Sequence, residues 1–225
     1  MRWLRESLTL AGKDLRIELR SKETFLSTTL FAVLVAVLSS LAFYLNRQIA
    51  AQLAPGVLWI ATVFAGLLAI SRSWARERHS RVIDALWLAV AHPSAIYCGK
   101  VVSTWVLLLA VELVLVPWVA VLFNLDLAER AGALLALLLS GTLGYVAICN
   151  LFAALTVKGK ARDLLLSVVV FPLVAPALLG AVVASRGLFQ GAPWADTLRW
   201  LRLITAFDLI ALAAGMALFP VLYRD

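Results

Sequence analysis

The sequence predicts an all-α polytopic membrane protein, six transmembrane helices preceded by an amphipathic helix lying along the membrane surface. Three observations carry this prediction. Hydrophobic residues make up 63% of the chain and charged residues only 15%, whereas soluble domains carry about a quarter charged residues. Apolar runs of about twenty residues, enough to cross a hydrocarbon core of about 30 Å, recur along the whole length. These runs lack the two-residue alternation of a membrane barrel, which leaves helices as the spanning form.

Residues 1–23 come first. Leu4, Leu8, Ala11, Leu15 and Leu19 recur at three- and four-residue steps and form one apolar stripe, with arginines and acids around it. This pattern predicts an interfacial helix on the inner membrane surface. The charged segment exceeds the n-region of a signal peptide, so the chain is expected to insert whole. Spans are then predicted at Thr24–Leu45, Pro55–Ser71, Val101–Phe123, Ala131–Val157, Leu164–Ser185 and Leu203–Tyr223, as one folding unit over 1–225. Ser140 and Gly144 in the fourth span suit close helix contact. Pro172 and Pro176 in the fifth remove backbone donors and are expected to kink it. Residues 186–202, with Trp194 and Trp200, are predicted as an outer loop.

Two acids fall well inside these spans, Glu112 and Asp208. An ionisable group at that depth costs about 2.5–3.5 kcal/mol on insertion scales. Each is either part of a substrate path or proton relay, or a carboxyl bonded to a neighbouring helix. Thr205, Ala211 and Gly215 share the stripe of Asp208, so it is expected to face protein.

The net charge of +7, from 20 basic and 13 acidic residues, follows membrane topology and does not indicate nucleic acid, since no basic helix or aromatic-basic module of the usual nucleic-acid-binding kinds accompanies it. Basic residues crowd the N-terminal flank, the 72–100 loop, the segment around Lys158, Lys160 and Arg162, and the tail. Only Arg47, Arg130, Arg186, Arg199 and Arg202 fall on the other side. Both termini are therefore predicted to be cytoplasmic.

The 72–100 loop is more than a flank. After Arg72, Arg76, Glu77, Arg78 and Arg81, a short apolar helix over Val82–Ala91 is predicted, with His92-Pro93 ending it. At about 15 Å it is half a membrane long, so its apolar side needs another surface. Basic residues alone would suit headgroups; Glu77 and Asp84 among them favour a protein contact that needs register.

"LAPGVLW" at 53–59, "RSWARER" at 72–78, the proline and "GK" at 99–100, "ELRSKE" at 18–23 and "ALTVKGKARDLLLSVVVFPLVAPALL" at 154–179 resemble the permease subunit of the cytochrome c maturation ABC transporter, the CcmB or haem exporter protein B family. The resemblance covers nearly the whole chain in order. It implies a type-2 ABC exporter fold in the bacterial inner membrane, working with a second copy of itself. The 72–100 loop would hold the coupling helix, with Arg76, Glu77, Arg78, Asp84 and Leu86 docking on a cytoplasmic ATPase subunit. It also implies a haem-handling membrane protein and a periplasmic haem chaperone as partners.

The chain has no G-x-x-x-x-G-K-[ST] phosphate loop, so ATP and Mg are expected on that ATPase partner. No cofactor is expected on this chain. Its two histidines, His79 and His92, both lie in the loop, no paired histidines face a span, and haem is assigned to other partners. Cys98 and Cys149 are far apart with no C-x-x-C, which predicts neither a disulfide nor a metal site. H-E-x-x-H and G-x-S-x-G are absent, and no catalytic residue is assigned. The alternative is the same fold with another cargo, an ABC permease exporting a drug, lipid or polysaccharide.

Overall fold

The computed structural model describes residues 2–42, 47–80, 92–155 and 162–222. Seven α-helices fill them: α1 (Arg2–Ser21), α2 (Glu23–Ala42), α3 (Arg47–Ser80), α4 (Pro93–Phe123), α5 (Ala131–Leu155), α6 (Arg162–Phe189) and α7 (Trp194–Leu222), with a 3-10 turn at Ala128–Arg130 before α5. No strand occurs among the described residues. Six helices, α2 to α7, are long and apolar enough to cross a membrane. The predicted fold class is the observed one.

Helices α3 and α5 are the most enclosed, and α2 and α7 the least. Helix α5 packs against α7, α6, α4 and α3, while α1 lies across the start of α4. Aromatic residues seated on glycines set several of these contacts. The Trp59 ring covers Gly141, and its indole N–H donates to the Ser185 hydroxyl at 3.0 Å. Tyr145 packs on Gly66 and donates to the Val63 carbonyl at 2.6 Å. Tyr97 sits against Gly215 and donates to the Ala147 carbonyl at 2.9 Å. A Cβ at any of these glycines would run into the ring, so the small residue and its aromatic partner fix helix spacing together. Each polar tip finds a backbone or hydroxyl partner, as burial in an apolar medium demands.

Three predicted boundaries move, the first at the start of α3, which begins at Arg47 and carries Pro55 within it. The helical part of the 72–100 loop is larger than hydropathy indicates: α3 runs on to Ser80, and α4 begins at Pro93, with His92 as its extended N-cap. Arg, Lys and Glu are good helix formers, so the charges that end a hydropathic run do not end the helix. The outer loop predicted at 186–202 is a tight turn at 190–193. Helix α6 ends in a Schellman motif, Gly191 having φ +90°, Ala192 N–H donating to Gly187 O at 2.9 Å and Gly191 N–H to Leu188 O at 3.3 Å. The Arg130 guanidinium donates to the Leu188 carbonyl as well. With the carbonyls satisfied in so short a space, Pro193 leads directly into α7.

Helix α6 is continuous through Pro172 and Pro176, whose rings lie on its exposed side. Each lacks an N–H, so the carbonyls of Val168 and Pro172 lose their usual donor. The predicted helix at Val82–Ala91, with Asp84 and Leu86, lies outside the described residues.

Candidate functional site: a charged joint at the base of the 72–100 loop

The end of α3 and the start of α4 form the described stem of the 72–100 segment, and α1 is strapped across that stem. Gly99 makes the close crossing possible. A Cβ there would stand 2.8 Å from Leu10 Cβ and 3.1 Å from the Ser7 carbonyl. The Trp3 indole anchors the first turn of α1 by donating to the Ser94 hydroxyl at 3.0 Å.

Beyond Gly99 the contact becomes ionic. The Lys100 ammonium lies 2.8 Å from Asp14 Oδ2 and 2.8 Å from Glu77 Oε1, thereby joining α4 to α1 and α3. It also donates to the Ser73 hydroxyl at 3.3 Å and stands 5.7 Å over the Trp74 ring. Both Lys100 and Glu77 side chains are 6% exposed. Lys13 reaches Glu77 Oε1 at 2.9 Å from the α1 side. Burial pulls the Lys13 ammonium down, but the Glu77 hydrogen bond and the Asp14 charge outweigh it and raise it above the usual 10.5. A raised lysine contributes stability below 10.5 and loses it only as pH climbs through the higher folded value, so this pairing is constant around neutrality.

Glu18, one turn on, has two tasks. Its Oε2 accepts from Arg76 at 3.2 Å, and its Oε1 accepts the Phe25 backbone N–H at 2.8 Å, capping the first turn of α2. Arg72 donates to the Ser27 hydroxyl. A cavity of about 260 Å³ adjoins the cluster, lined by Asp14, Ser73, Arg76, Glu77 and Lys100 among others. The stem, α1 and the start of α2 are thus held as one block. Buried charges paired on both sides hold these helices in one geometry relative to each other.

Of the docking residues expected from sequence, Glu77 is in this interior joint and its carboxylate faces Lys100 and Lys13. Arg76 is partly exposed and pairs with Glu18. Arg78 is in the last turns of α3, its side chain outside the described residues, as are Asp84 and Leu86. Sequence reasoning missed Asp14, Glu18 and Lys100 as a group. A signal for them existed: Ser7, Ala11, Asp14 and Glu18 repeat at four- and three-residue steps, a second stripe beside the leucines.

The intramembrane acids occupy two separate places. Glu112 on α4 is fully buried, and the polar side chain it faces is the buried Thr62 of α3. Asp208 on α7 is also buried, against Gly144 of α5, where a Cβ would collide with its carboxylate and with Phe207. Gly144 therefore supplies the close contact expected of it, and the partner is α7. Ser140 donates back to the Ala136 carbonyl within its own helix. Cys98 and Cys149 are free thiols, and no cluster of three metal-ligating side chains occurs among the described residues.

A multi-pass helical membrane protein with a strapped, charged loop stem is the class this fold defines. The family model described as "CcmB protein" matches residues 5–220, and the chain belongs to that family. It is 30% identical over 212 residues to heme exporter protein B of Pseudomonas aeruginosa, covering 92% of this chain and 94% of the relative. The protein of the same description from Bradyrhizobium diazoefficiens is 28% identical over 211 residues, covering 92% and 91%. That of Escherichia coli K12 is 31% identical over 172 residues, covering 76% and 77%.

Proposed function

We propose that this chain is the permease subunit of an ABC transporter complex of the inner membrane that serves c-type cytochrome biogenesis. ATP would be hydrolysed by a separate cytoplasmic subunit, and the resulting motion would drive haem delivery or release of a haem-loaded chaperone. The observation that carries this reading is the near end-to-end match to relatives described as heme exporters. The absence of a phosphate loop in the sequence agrees with a partner that supplies ATP chemistry. The charged joint supports a coupling role for the 72–100 loop, with both termini cytoplasmic by the distribution of basic residues. Arg76, Arg78, Asp84 and Leu86 are the contacts proposed for the ATPase, and Glu77 holds the stem from within. A second copy of the chain completes the transporter.

A tagged copy purified from its own membranes in mild detergent tests this. Stoichiometric recovery of an ABC ATPase and a haem-handling membrane protein is the expected result. An ATPase alone would transfer the cargo to a drug, lipid or polysaccharide. Recovery of neither from an otherwise monodisperse preparation would remove the permease reading.

A further inference from the structure

Helix α1 is amphipathic in an unusual sense. Its acids and small residues, Ser7, Ala11, Asp14 and Glu18, point into the protein, and Leu4, Leu8 and Leu19 point out. Leu4, Leu8 and Leu19 are 55%, 64% and 72% exposed. Beside this stripe, away from the protein, Arg5, Arg16 and Arg20 are exposed on a third face that also carries Thr9 and Gly12. These arginines make no ion pair with any described residue. A groove of about 880 Å³ runs along this side, lined by the three arginines together with Leu4, Leu8 and Ile17.

We propose that this face is a binding site for acidic phospholipids of the cytoplasmic leaflet, the arginines on the phosphodiesters and the leucine stripe against the acyl chains. Its placement on that leaflet rests on the orientation given above. Charge complementarity selects an anionic occupant. Position selects lipid over an acidic protein: a single residue, Lys22, separates α1 from span-length α2, so α1 ends at the bilayer boundary. An apolar stripe flanked by arginines at that depth matches the two zones of a lipid interface, acyl chain and headgroup. Guanidinium groups also meet phosphate oxygens bidentately. Gly12 leaves open space midway along the face, where a Cβ would meet nothing within 4 Å.

The full chain is reconstituted without partners into phosphatidylcholine vesicles, and electron spin resonance measures the association of spin-labelled phosphatidylglycerol relative to spin-labelled phosphatidylcholine. The wild type is expected to prefer phosphatidylglycerol several-fold, less at high salt. The combined variant Arg5→Gln, Arg16→Gln, Arg20→Gln should lose most of that preference, and the matching lysine variant should keep it, which separates charge from folding. Changing Arg199 and Arg202 on α7 to glutamine should matter far less. Equal association of the two lipids with the wild type, or a preference that survives the glutamine variant, overturns the site. Symmetric vesicles lacking any partner make the result independent of whether the permease reading stands.

Discussion

Lys100→Met destabilises the detergent-solubilised protein by about 3–5 kcal/mol, the range for breaking a buried ion pair from one side. The substitution keeps the side-chain length and removes the charge that Asp14 and Glu77 both face at 2.8 Å. Two carboxylates then share the single, partly exposed Lys13, 2.9 Å from Glu77 and 3.3 Å from Asp14. Thermal unfolding followed by circular dichroism reads the loss. Adding Asp14→Asn and Glu77→Gln should recover most of it, since penalties within one network are not additive. Trypsin should cut α1 after Arg16 and Arg20 faster in the single variant than in the triple. A loss below about 1 kcal/mol would place the cluster with solvated surface pairs.

Gly99→Val and Gly12→Ala should move stability in opposite directions, although both replace a helical glycine in contact range of α1 or within it. At Gly99 a Cβ would meet Leu10 Cβ at 2.8 Å and the Ser7 carbonyl at 3.1 Å. The second of these is backbone and cannot rotate away, so α1 must lift. Overpacking of this kind costs about 1–3 kcal/mol, and release of α1 should also weaken retention of the ATPase. At Gly12 a Cβ meets open space, and the helix gains up to about 1 kcal/mol of propensity. Equal effects at the two positions would mean that α1 is not seated on α4 as described.

The spans were legible because length and apolarity are properties of contiguous residues. Boundaries were less so, since hydropathy stops at a charge whether or not it has a partner. Arg76, Glu77 and Lys100 therefore cut α3 and α4 short on paper, while in the fold they lie inside both helices and pair between elements. Arg186 and Arg199 suggested a loop for a related reason, but Gly191 and Pro193 turn the chain within four positions. The leucine periodicity of α1 was readable, and so was its helix. Which side faced the protein was not, because Asp14 and Glu18 find their cations on helices far along the sequence. Glu77 is the sharpest case: among basic neighbours it looks like a surface contact, and only the approach of Lys100 and Lys13 makes it an interior one.

The measurement that bears most directly on the central claim is the yield of c-type cytochromes in a bacterium deleted for its own heme exporter protein B and supplied with this chain. The account predicts that haem-stained holocytochrome c returns with the wild type and falls with Lys100→Met. Absence of any holocytochrome, while the wild-type chain accumulates in the inner membrane together with an ABC ATPase, would contradict it.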